Sequence, residues 1–231
     1  MGGWYKLNVN LARKKRLREL AEPVSCAVCA SGTNCWPVQA PAHAPDILVQ
    51  RRPALARGEL LWHQGSPFSG LYLVASGSLR LSETLPDGSE VVTGFAFPGD
   101  MVGFDGVAED GTHACSATAL EQSALCRVLW DPAAETDAQL PLEKKLLKRL
   151  AGQRRIMMSA RPSRDAVDAL ARFLHRVRRR LGRIEGERCV VRLPMSRAEI
   201  ANYLGLAEET VSRAFREIAG RERMLVAGRE L

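Results

Sequence analysis

"MSRAEIANYLGLAEETVSRAFREIAG" occupies residues 195–220, and its reading decides what the C-terminal part of the chain is. Ser196 and Glu199 stand three apart. That is the spacing of a capping box, in which each side chain satisfies the other residue's backbone N–H, so a helix starts here. Ala201 is small where two helices would cross closely. Gly205 falls where a sharp turn needs a positive φ, which glycine adopts without a steric penalty. Ile200, Leu204, Leu206, Val211 and Phe215 supply an apolar side, and a second helix starts near Ala207 or Glu208. The segment reads as a helix–turn–helix.

In that second helix Glu209, Ser212 and Arg213 lie at i, i+3 and i+4 and share one exposed face. Residues near the N-terminus of such a helix are the ones that meet base edges in the major groove. Arg213 can pair in bidentate fashion with guanine, Glu209 can accept from cytosine N4, and Ser212 can touch thymine or a phosphate. The plainer reading is a surface helix with an intrahelical Glu–Arg ion pair. Charge favours nucleic acid. Residues 1–140 hold 11 Lys/Arg against 15 Asp/Glu, a balance of −4, whereas residues 141–231 hold 22 against 11, a balance of +11. An acidic front half joined to a strongly basic back half points to a polyanion partner for the latter, here double-stranded DNA.

Upstream, "RCVVRLP" reads as a short strand ended by Pro194. Before it, Ala166, Leu170, Phe173, Leu174, Val177 and Leu181 repeat at helical spacing, with Ser163 as the expected cap. Further back, "PLEKKLLKRLAGQRRIMMSA" (141–160) places Leu142, Leu146, Leu150 and Met157 on one face of a basic helix, with Leu147 beside them. Such a wide apolar stripe suits packing against the preceding domain and a partner chain. "ARPS" then marks a hinge. From Ile47 to about Val128 glycines recur at close intervals between short β-rich segments, and "LPDGSE" (85–90) reads as a hairpin turn. Many short strands at close turn spacing predict an all-β roll or jelly roll.

Near the N-terminus, "CAVCASGTNC" brings Cys26, Cys29 and Cys35 within ten residues. Three thiolates make an incomplete metal site, so a fourth ligand must come from elsewhere in the chain. The first twenty residues are polar and basic and lack the apolar core of a secretory signal, which places the protein in the cytoplasm, where thiols stay reduced. No apolar run reaches bilayer-spanning length.

Three stretches together resemble one family, the CRP/FNR superfamily of transcription regulators, and within it the FNR-type, oxygen-responsive regulators of fumarate and nitrate respiration. "CAVCASGTNC" has the FNR spacing of two and then five intervening residues. "TGFAFPGDMVGFD" (93–105) follows the family's TGF…GD(L/M)VGFD segment, and "NYLGLAEETVSR" (202–213) follows its recognition element with the E-x-x-S-R core. The resemblance spans roughly residues 20–226. It implies an α+β fold: an N-terminal β-roll of the cyclic-nucleotide-binding type, a long dimerisation helix, and a C-terminal winged helix–turn–helix. The corresponding boundaries are 1–45 for a basic arm with the cysteine loop, 46–136 for the roll, 137–160 for the dimer helix and 161–231 for the DNA-binding domain. "MLVAGREL" leaves little room for the second wing strand, so the wing is expected to be shortened.

The same resemblance implies a [4Fe–4S] cluster on three N-terminal cysteines and one from the roll. The family's fourth position, in "ALEQSALCRV" (119–128), falls on Cys126. Four thiolates meet the usual need of such a cluster. Cys115 is the competing fourth ligand, and Cys115 and Cys189 are otherwise expected as small buried hydrophobes. Zinc also accepts four thiolates, but the cluster has one CxxC rather than two, and the chain's four histidines show no zinc-ligand spacing. The resemblance further implies a homodimer on an inverted repeat of TTGAT half-sites and an RNA polymerase contact through the "LPDGSE" loop.

Two other functions fit the chain less well. A nucleotide-binding regulator needs an arginine against the phosphate, and "GFDGVAEDGTHACSATA" (103–119) contains none, so no cyclic nucleotide is expected. An iron–sulfur redox enzyme needs a substrate site. The chain has no nucleophile–base motif, no dinucleotide glycine fingerprint after a strand and no HExxH, so it is not expected to be an enzyme. Asp100 and Asp105 read as turn residues.

Overall fold

The computed structural model describes residues 48–51, 54–107, 111–129, 147, 150, 165–185, 188–221 and 226–227. Eight strands come first: β1 (Leu48–Arg51), β2 (Leu60–Trp62), β3 (Leu71–Ser76), β4 (Leu79–Thr84), β5 (Glu90–Ala96), β6 (Met101–Val102), β7 (Ser116–Ala119) and β8 (Ala124–Leu129). They form two four-stranded sheets, ordered β1-β8-β3-β6 and β2-β7-β4-β5, with antiparallel pairing throughout. This is the expected roll.

The "LYLV" of β3 shows how the roll is filled. Successive side chains on a strand point to opposite faces. Tyr72 and Val74 are buried with Trp62 and Leu79 of the other sheet, so that face is the interior. Leu71 and Leu73 are equally buried, but with Met101, Cys126 and Val128 of their own sheet. The first sheet therefore buries both of its faces, and Cys126 stands on the one turned away from the interior.

The β4–β5 hairpin turns through "LPDGSE" as expected. Leu85 N–H donates to the Ser89 carbonyl at 2.8 Å, and Gly88 takes φ +84°. Ser89 donates both its hydroxyl (2.6 Å) and its N–H (2.9 Å) to Asp87, holding that carboxyl below the usual range. β5 is the last strand of its sheet, so one side of its ladder has no neighbouring strand among the described residues.

Helix α1 (Ala166–Leu181) buries Leu170, Phe173, Leu174 and Val177, the face its spacing predicted. Its cap is Asp165, whose carboxylate accepts from Val167 N–H at 3.0 Å. The expected cap, Ser163, is two residues too early for a helix that begins at Ala166, and lies outside the described residues. Arg178, Arg179 and Arg180 fill the last turn, where cations favour the helix dipole.

Strands β9 (Arg183–Glu185) and β10 (Arg188–Arg192) follow, the first not foreseen from sequence. Then come α2 (Arg197–Leu204), α3 (Glu208–Arg221) and β11 (Val226–Ala227), which lies parallel to β10. Of the expected dimer helix, Leu147 and Leu150 are described. Both are helical, and they are 68% and 42% exposed. Among the described residues no helix is long and apolar enough to cross a membrane.

Candidate nucleic-acid interface

The capping box at the start of α2 is formed. Glu199 N–H donates to Ser196 Oγ at 3.1 Å, and Ser196 N–H donates to Glu199 Oε2 at 2.7 Å. Gly205 ends the helix at φ +65°, ψ 34°, and Leu206 N–H reaches back to the Ala201 carbonyl at 2.9 Å. An added Cβ at Gly205 would meet nothing within 4 Å, so the backbone angle, not crowding, asks for glycine. Ala201 is buried at the helix crossing.

Helix α3 turns Val211, Ala214 and Ile218 into a core shared with Ile200, Ala201 and the buried face of α1. Its other side carries Glu209 and Arg213, both largely exposed and joined at 2.5 Å. Ser212 is half-buried between them and the core. The three residues named from sequence are thus brought together. The ion pair also formed, but an exposed pair one turn apart is worth only about 0.3–0.5 kcal/mol. It keeps the Arg213 fork beside the helix's N-terminal half and costs little to break. Close by, the Arg197 guanidinium lies 5.5 Å from the centre of the Phe215 ring. Arg178 and Arg179 are exposed at the end of α1 and make no ion pair with another described residue.

The cysteines divide. Cys26, Cys29 and Cys35 lie outside the described residues. Cys126 sits on β8 opposite Leu73 of β3 and Arg51 of β1, buried on the outward face of the sheet. Cys115 is not the buried hydrophobe expected. It is half-buried, its N–H donates to Asp105 at 3.3 Å, and its thiol lies 3.5 Å from the same carboxylate. Burial, then the Asp105 charge and hydrogen bond, push the thiol up to about 12, so Cys115 resists forming a thiolate. Burial alone would raise the Asp105 carboxyl. His113 and Cys115 outweigh it, and the net result is a lowered value. Asp105 is therefore a buttress for the following strand rather than only a turn residue. No local sequence signal links it to a partner ten residues on. The side chain of Cys189 lies outside the described residues. Among the described residues no group of three or more His, Cys, Asp or Glu could hold a metal.

Inside the roll, His113 stacks on Trp62 with ring centres 4.2 Å apart, and the Tyr72 ring centre lies 5.4 Å from that of Trp62.

Known proteins share this architecture. The family described as the cyclic nucleotide-binding domain matches residues 52–132, and the Crp-like helix-turn-helix domain matches residues 168–229. The transcriptional activator protein Anr of Pseudomonas aeruginosa is 34% identical over 212 residues, covering 89% of this chain and 86% of that protein. The fumarate and nitrate reduction regulatory protein of Escherichia coli is 29% identical over 206 residues, covering 86% and 82%. Among solved structures, FixK2 from Bradyrhizobium japonicum superposes with a TM-score of 0.62 at 29% identity, covering 75% of this chain and 86% of that one.

Proposed function

The chain belongs to the CRP/FNR superfamily of transcription regulators, and from that premise we propose that it senses oxygen or redox state through a [4Fe–4S] cluster held by Cys26, Cys29, Cys35 and Cys126. At the coarser level it is a DNA-binding regulator of the FNR/Anr type and not an enzyme. The sensing role rests on one observation above others. Of the two candidate cysteines in the roll, Cys126 stands on the sheet face turned away from the barrel interior, while Cys115 is held by Asp105 in a setting that opposes a thiolate. A four-thiolate iron–sulfur group, when bound, supplies redox- and oxygen-labile chemistry. Cys126 then contributes a ligand fixed in a sheet, between strands β1 and β3.

The rest of the reading follows the family. The protein acts as a cytoplasmic homodimer, and the exposed Leu147 and Leu150 support a partner helix. Two copies of α3 meet half-sites of the TTGAT type, about 34 Å apart along the duplex. The tip of the β4–β5 hairpin contacts RNA polymerase. No cyclic nucleotide is bound, a reading supported by the absence of arginine from residues 103–119.

Anaerobic purification with iron and acid-labile sulfide analysis tests the proposal. Wild-type protein and Cys115→Ala should carry near-stoichiometric iron and sulfide that bleach in air, and Cys126→Ala should carry neither. A colourless protein with zinc would replace the iron–sulfur reading, and loss of iron in Cys115→Ala alone would move the fourth ligand.

A further inference from the structure

Asn202, on α2, reaches across to the roll. Its Oδ1 accepts from Val92 N–H at 2.6 Å, and its Nδ2 donates to the Glu90 carbonyl at 2.8 Å. Those partners fix the amide's orientation without ambiguity, since one is only a donor and the other only an acceptor. Residues 90 and 92 are i and i+2 on β5, so both groups point the same way, off the free edge of the sheet. A primary amide is a chemical copy of the peptide group. Asn202 therefore meets this edge as the peptide of a neighbouring strand would.

Other contacts converge on the same place. Arg80 of β4 binds Glu90 at 2.9 Å and stands 3.6 Å from Glu199, the glutamate of the α2 capping box. Tyr203, next to Asn202, meets Phe95 of β5 edge-on at 5.4 Å, and both meet Phe173 of α1. Phe97 and Leu120 of the roll are buried in the core of the helical domain. Arg180 of α1 binds the Asp100 carboxylate. The two domains are thus joined closely along β5.

None of these contacts covers Glu209 or Arg213, which stay exposed. The joint orients the reading helix and does not occlude it. We propose that Asn202 is the clip of an interdomain joint that fixes the helix–turn–helix to β5, so that the orientation of α3 follows the β4–β5 hairpin of the roll. Its effect on DNA rests on the function proposed above; the joint itself does not.

Full-length protein tests both parts. Amide hydrogen exchange, resolved at Val92, is compared in wild type, Asn202→Ala and Asn202→Asp. The aspartate keeps the size of the side chain but loses the donor to Glu90. Val92 should exchange at least tenfold faster in Asn202→Ala, with Val74 in the roll's core unchanged, and should be accelerated less in Asn202→Asp, whose carboxylate still accepts from Val92 N–H. Equal protection of Val92 in all three proteins overturns the clip. Equal acceleration of Val92 and Val74 also overturns it, because Asn202 would then support the whole fold rather than the joint. Binding to TTGAT inverted repeats, with the half-site spacing lengthened or shortened by one base pair, tests the orienting role. Wild type should discriminate by spacing, and Asn202→Ala should discriminate at least fivefold less. Unchanged discrimination with Val92 open overturns that role. A wild type indifferent to spacing counts against the DNA reading instead, and the Val92 comparison still decides the joint.

Discussion

Glu199 on α2 and Glu209 on α3 each hold an arginine. The partner of Glu199 is Arg80, from the roll, and the two side chains are 23% and 20% exposed. The partner of Glu209 is Arg213, one turn along the same helix, and these are 74% and 70% exposed. The first pair is set among a capping box, an amide clip and three aromatic rings, and its partners come from elements distant in sequence. The second is solvent-exposed and makes no other ion pair among the described residues. The residue types are the same, and setting decides what each pair does. A shielded pair between elements fixes geometry, whereas an exposed pair within one helix fixes little and leaves both side chains open to solvent.

The contrast breaks first at the docked side. Phe173→Ala removes the ring that Phe95 and Tyr203 share and leaves a cavity in the core, so stability should fall by about 3–5 kcal/mol in urea unfolding. A loss under about 1 kcal/mol would mean that the aromatic cluster is loosely packed and the docked side is not what holds the domain.

At the reading side, Arg213→Ala should cost about 1–3 kcal/mol of specific DNA binding, measured on an inverted repeat and its single-base variants at fixed salt. The urea midpoint should not move. Equal loss on cognate and scrambled duplexes would make Arg213 a phosphate contact and remove α3 as the base reader. The smallest effect belongs to its partner. Glu209→Ala should change stability by no more than about 0.5 kcal/mol while relaxing preference at one base pair. A larger stability change would show that the exposed pair is structural, and would collapse the distinction between the two helices.

Features legible in the sequence were those whose cause lies within a few residues. Ser196 and Glu199 announce the capping box because both partners fall in one turn, and Gly205 announces its turn because only its own φ is at issue. "LPDGSE" gave the hairpin on the same grounds. Where several nearby residues could serve, local reading slipped: Asp165 and Ser163 are both good caps, and the choice is made by where the packed face of α1 begins. Strand β9 is not legible in the sequence, because "RIE" has no pattern of its own and is held by β10. Cys115 was misjudged because its polarity comes from Asp105, and nothing between them signals the contact. The Asn202 clip joins residues 110 and 112 positions apart, a relation that only the folded chain sets up.

The free edge of β5 has a colloidal consequence. A strand with unpaired N–H and C=O groups is a template for another chain, and proteins that leave one open tend to aggregate. Here α2 and the Asn202 amide lie on that edge. When the two domains part, the roll therefore exposes a strand that a second molecule can extend. Solubility then depends on how much of the time the helical domain stays seated, and a crowded solution of the opened form should deposit protein through its roll rather than through its basic DNA-binding half.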